Sequence, residues 1–89
     1  MKTVAFLVTL KIQTGEYEKT THTLVKHAVT EESAATQALL AECHCNLDDG
    51  AEWLEKGQQI EDLHGEMIYT LYDCKPVTEQ ELPTLEKFF

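Results

Sequence analysis

Eighty-nine residues with a 43% hydrophobic fraction make a single globular domain, residues 1–89, with one modest core. The net charge is −9 and there is no arginine. Both facts argue against nucleic acid or an anionic membrane as a direct ligand, because those are held by basic groups and arginine is the preferred fork for phosphate.

Three cysteines (Cys43, Cys45 and Cys74) are an odd number with no secretion signal, which does not suit a disulfide framework. No apolar run approaches the ~20 residues of a membrane span. The opening run, residues 4–10, is interrupted by Thr9, is followed by Lys11 and lacks a small-residue cleavage site. It reads as a strand and not a signal peptide, and the expected compartment is the cytoplasm.

In chain order, Val4, Phe6, Val8, Leu10 and Ile12 alternate with Thr3, Ala5, Leu7, Thr9 and Lys11, the period of a strand with one buried face. Gly15 supplies a turn, and the threonine-rich stretch 17–28 reads as the return strand, so residues 3–28 are a predicted β-hairpin. Thr30 is a predicted N-cap, with Glu31 and Glu32 in a first turn that favours negative charge. Ala34, Ala35, Ala38, Leu39 and Cys43 then recur at helical spacing over residues 31–44, a small-residue stripe able to lie close against a sheet.

Residues 46–65 admit two readings. Asp49-Gly50-Ala51-Glu52 has the spacing of a capping box, which favours a short helix carrying Trp53 and Leu54 and ended by Gly57. The alternative is an irregular strand over residues 53–60. Residues 66–77 alternate as a strand, with residues 60–63 as a possible partner across a turn at His64-Gly65. Thr78-Glu79-Gln80-Glu81 is a capping box, and Pro83 falls too deep for an uninterrupted helix, so one turn that kinks or restarts at Pro83 is expected before Phe88-Phe89. The expected fold is α+β in ββαβ or ββαββ order: an antiparallel sheet of three to four strands, one helix packed on it and a short C-terminal helix.

No active site emerges. Ser33 is the single serine and sits in a helix's first turn. Cys43 and His44 are neighbours that point ~100° apart on a helix, which is not a catalytic dyad. His22 and His27 fall on opposite faces of the second strand. Carboxylates are plentiful without the alternating acids and central glycine of a calcium loop. The one metal candidate is Cys43-His44-Cys45 with His64 and Cys74, residue types that zinc prefers, but with a single residue between the paired sulfurs where structural sites use two to four. The expectation is therefore no enzyme, no cofactor and no bound metal.

Charge is distributed unevenly. Residues 1–29 hold four lysines against two glutamates, whereas residues 30–89 hold three lysines against fourteen acids. The bland reading of that acidity is a solubilising surface. The sharper one is a docking surface for a basic protein partner, made of Glu42, Asp48, Asp49, Glu52, Glu55, Glu61 and Asp62 with Trp53 as an aromatic anchor. Phe88-Phe89 and the sheet edges offer a second possibility, association into a homodimer.

Gly15-Glu16-Tyr17-Glu18 in the hairpin turn, the Thr30-Glu31-Glu32 helix start and the His64-Gly65-Glu66 turn into an aromatic strand together resemble small uncharacterised proteins of bacteriophages and mobile elements, over most of the chain. In size, acidity and α+β pattern the chain is also similar to anti-CRISPR proteins. These resemblances imply an inhibitor of a host nucleic-acid-handling or defence complex, such as a CRISPR-Cas assembly, acting in the host cytoplasm. They imply no catalytic residues.

Overall fold

The computed structural model describes residues 2–89. Six strands form one sheet: β1 (Thr3–Thr14), β2 (Tyr17–Val25), β3 (Asn46–Leu47), β4 (Gly50–Glu55), β5 (Gln59–Asp62) and β6 (Met67–Thr78). Two helices accompany them, α1 (Glu31–Glu42) and the five-residue α2 (Leu82–Glu86). The strand order is β2-β1-β6-β5-β4-β3.

This corrects the expected three or four antiparallel strands. The sheet has six strands and is mixed, because β3 runs parallel to β4 with Asn46 opposite Gly50 and Leu47 opposite Ala51. The short helix favoured around Trp53 is strand β4. Glu52 caps nothing; the local backbone is tied instead by Asp48 N–H to the Ala51 carbonyl (2.8 Å) and Asp49 N–H to the Asn46 carbonyl (3.0 Å). The capping-box spacing is outweighed by pairing of Trp53 with Ile60 across a turn at Lys56-Gly57-Gln58. Strands of two to six residues broken by Gly50 and Gly57 carry too little alternation to show a period of two.

The hairpin forms, but its return strand ends at Val25 and not at residue 28, so His27 lies outside it. Gly15 adopts φ 57° at the first central position of the two-residue turn, and Thr14 pairs with Tyr17. Thr30 caps α1 by accepting from Ser33 N–H at 3.1 Å. Ala34, Ala38 and Leu39 share one buried cluster with Phe6, Val8, Leu10 and Ile12, and Ala35 is buried as well, so the alanine stripe sets the helix close to the sheet. At the C-terminus the Thr78–Glu81 capping box is made, with Glu81 Oε1 accepting from Thr78 N–H at 3.2 Å and Glu81 N–H donating to Thr78 Oγ1 at 3.3 Å. Pro83 then falls in the first turn of α2, where its missing N–H costs nothing.

Register separates the two faces. Ile12, Tyr69, Ile60 and Trp53 are aligned across β1, β6, β5 and β4 on the side covered by α1. One residue on, Gln13, Ile68, Glu61 and Glu52 form the equivalent row on the opposite face. The strand order thus turns the uneven charge of the sequence into a lateral one. Lys11, Lys19 and the β2 edge lie at one side of the sheet, and the acids of residues 48–61 lie at the other. Among the described residues no helix is long and apolar enough to cross a membrane.

Candidate functional site

Asp62 organises the acidic end of the sheet. It is fully buried, and its carboxylate accepts from His44 N–H (2.8 Å) and Cys45 N–H (3.0 Å), which fastens the link leaving α1 onto the end of β5. The buried Tyr69 hydroxyl donates to the same carboxylate at 2.8 Å. Burial pushes the Asp62 pKa up, but the bonds from His44 N–H, the Tyr69 hydroxyl and the Cys45 and Leu63 N–H groups outweigh it, and the group titrates below the ordinary carboxylate value. Tyr69 moves the opposite way, raised by burial and by its bond to the Asp62 carboxylate.

Beyond Asp62 the chain turns through three residues of positive φ, Leu63 (52°), His64 (58°) and Gly65 (93°). A left-handed leucine is strained by roughly 1–2 kcal/mol. The turn carries the His64 ring over β4, next to Gly50. Gly50 has φ 107°, and a side chain there would meet Cys45 Sγ at 2.6 Å and His64 Nε2 at 3.6 Å. The result is a shallow groove of about 450 Å³ lined by Asp48, Gly50, Ala51, Glu52, Glu61 and His64.

The groove is electrostatically unbalanced. Glu52 and Glu61 are cross-strand partners on β4 and β5, and like charges so placed repel. Residues 42–66 hold eight carboxylates against one lysine, Lys56. The three ion pairs among the described residues lie elsewhere: Lys11–Glu18 (4.0 Å), Lys26–Glu86 (3.0 Å) and Lys75–Asp73 (3.5 Å).

Of the residues proposed from sequence, Asp48, Glu52 and Glu61 are brought together in this groove. Asp49 and Glu55 are exposed on β4 or its approach but outside it, and Glu42 is half-buried at the end of α1. Two do not fit a docking surface. Asp62 is enclosed and its oxygens are spent on the fold, because the alternation of β5 turns it to the α1 side while Glu61 faces out. Trp53 lies in the core-facing row, half-buried against the core, and so serves packing and not anchoring. His64 and Gly50 are groove residues that sequence reasoning did not place there. The His64-Gly65 turn signal located the first without revealing what it faces.

Among the described residues no three of His, Cys, Asp and Glu converge as a metal-holding group. Cys43 Sγ bonds the Leu39 carbonyl at 3.4 Å, and Cys74 lies on β6 against the start of α1. Burial, reinforced by the negative charges of Asp62, Cys45 and Glu42, pushes the Cys43 thiol up to about 11, away from a ligand or nucleophile. Burial raises Cys74 as well, with Glu31 and Asp73 adding to it.

Comparison of the chain with models of protein families, with curated proteins and with solved structures finds no match. None of these comparisons bears on the resemblance to phage proteins or to anti-CRISPR proteins.

Proposed function

We propose that the chain is a small protein-binding module that docks on a basic partner through the groove of Asp48, Glu52 and Glu61. The observation that carries the reading is the cross-strand pair Glu52–Glu61, two like charges set opposite each other with no lysine paired to either among the described residues. A fold gains nothing from that arrangement, whereas a lysine or arginine from a partner relieves it. The groove is shallow and polar, which suits a protruding basic side chain better than a small apolar ligand. A partner that handles nucleic acid presents such side chains on the surface it uses for phosphates. An inhibitor of a host nucleic-acid-handling or defence complex, occupying that surface in place of nucleic acid, is the specific form of this proposal.

Affinity capture from host lysate tests it, with heparin or duplex DNA as competitor. The expected result is retention of a basic nucleic-acid-binding protein at low salt, its release by either competitor, and its loss when Asp48, Glu52 and Glu61 are each replaced by lysine. Equal retention by the charge-reversed variant contradicts the proposal.

A further inference from the structure

The two edges of the sheet are unlike. At the acidic edge, β3 is two residues long and flanked by Asp48 and Asp49, and β4 is bulged at Leu54, devices that block further strand pairing. At the other edge, β2 is nine residues long and pairs with β1 from Thr14–Tyr17 to Phe6–Val25 without a bulge. Residues 20–25, Thr-Thr-His-Thr-Leu-Val, contain no formal charge, proline or glycine. Such an edge is a template for another strand. Because the hairpin closes in a two-residue turn at the Thr14–Tyr17 pair, the backbone groups of Glu18, Thr20, His22 and Leu24 point away from β1.

We propose that β2 pairs antiparallel with β2 of a second copy about a two-fold axis at Thr21, joining the two sheets edge to edge. The edge is self-complementary in this register: Glu16 stands opposite Lys26 of the second copy, Tyr17 opposite its Val25 and Thr20 opposite its His22. The charge layout selects the same edge. In a chain of net charge −9 the β1–β2 hairpin is neutral, with Lys11 and Lys19 against Glu16 and Glu18, and the acids from Asp48 to Glu61 sit three to five strands away. Two copies therefore meet with least repulsion at β2.

Two further features lie at this junction. Thr21 Oγ1 is a buried oxygen with no hydrogen-bond partner among the described residues. The axis brings both Thr21 side chains together, where a χ1 rotation lets one hydroxyl bond the other. On the face away from α1, Phe88 and Phe89 are 77% and 57% exposed, and Phe89 lines a hollow with His22, Leu24 and Lys26 beside the edge. Pairing at β2 extends the surface on which these rings lie. The proposal is independent of the acidic groove at the other end of the sheet.

Sedimentation of the full chain from low micromolar to millimolar concentration tests it, alongside two charge variants confirmed as folded by circular dichroism. Thr20→Glu with His22→Glu sets four carboxylates against one another across the axis, and Thr20→Lys with His22→Lys sets four ammonium groups. The unaltered chain is expected to dimerise, each variant to weaken dimerisation by about tenfold or more, and an equal mixture of the two variants to restore it. A monomer at every concentration overturns the proposal. So does a dimer that both variants leave intact, or a mixture that stays as weak as its components.

Discussion

Glu52 on β4 stands directly opposite Glu61 on β5, on the face of the sheet away from α1, and neither is ion-paired among the described residues. Cross-strand like charges destabilise a sheet by a few tenths of a kcal/mol to about 1 kcal/mol. Glu61→Lys is therefore expected to stabilise the isolated protein by about 0.5–1 kcal/mol, with the gain shrinking as salt is added. Urea denaturation at low and high ionic strength measures both effects. A loss of stability on substitution would show that Glu61 holds the fold together in some other way.

Asp62 is the opposite case, an acid that the fold depends on. Asp62→Ala strands the N–H groups of His44 and Cys45 and the Tyr69 hydroxyl, at an expected cost of about 3 kcal/mol or more. Tyr69→Phe removes one of the bonds to this carboxylate and is expected to cost about 1.5–3 kcal/mol, the range for a bond to a charged group. Chemical denaturation of the two variants and of their combination tests whether the losses are coupled, as they should be for groups in contact.

The depressed pKa of Asp62 has a consequence in acid. The unfolded chain binds this proton first, at about pH 4, so the Asp62 contribution is complete above that value and is lost as pH falls through the lower folded value. Asp62→Asn should flatten the stability profile below about pH 4, measured as the urea midpoint against pH. A profile with unchanged steepness would mean that other carboxylates dominate acid unfolding.

Gly50 is held against Cys45 and His64 in a conformation closed to other residues. Gly50→Ala is expected to destabilise by about 2–3 kcal/mol, since the new Cβ combines a strained φ with a 2.6 Å approach to Cys45 Sγ and one of 2.8 Å to Cys45 Cβ. Adding Cys45→Gly removes both close contacts and should recover part of the loss, leaving the cost of the φ angle. No recovery would place the whole cost in the backbone.

How far the fold could be read from sequence depended on signal length. The hairpin and α1 were legible because twelve residues of alternation in β1 and the Thr30 cap with its alanine stripe are long, mutually consistent patterns. The β3–β5 region was not, because Asp49-Gly50-Ala51-Glu52 imitates a helix start and its strands are too short to show a period. The acids of the groove were visible as residues, but their division between faces was not. Only the β5 register separates the outward-facing, half-buried Glu61 from the buried Asp62, and only the β4 register turns Trp53 to the core. Trp53→Ala is accordingly expected to cost about 3 kcal/mol in thermal or urea unfolding, the low end for a tryptophan truncation because the side chain is half-buried.

The most direct test of the docking proposal is the dissociation constant for the captured basic partner, measured by calorimetry across a salt series. Glu52→Lys with Glu61→Lys is compared with an equal charge change remote from the groove, Glu32→Lys with Glu79→Lys. If the groove is the interface, the first pair weakens binding by about tenfold or more and flattens its salt dependence, and the second changes it by much less. Equal weakening by both pairs would show that net charge alone attracts the partner and that the groove is not where it docks.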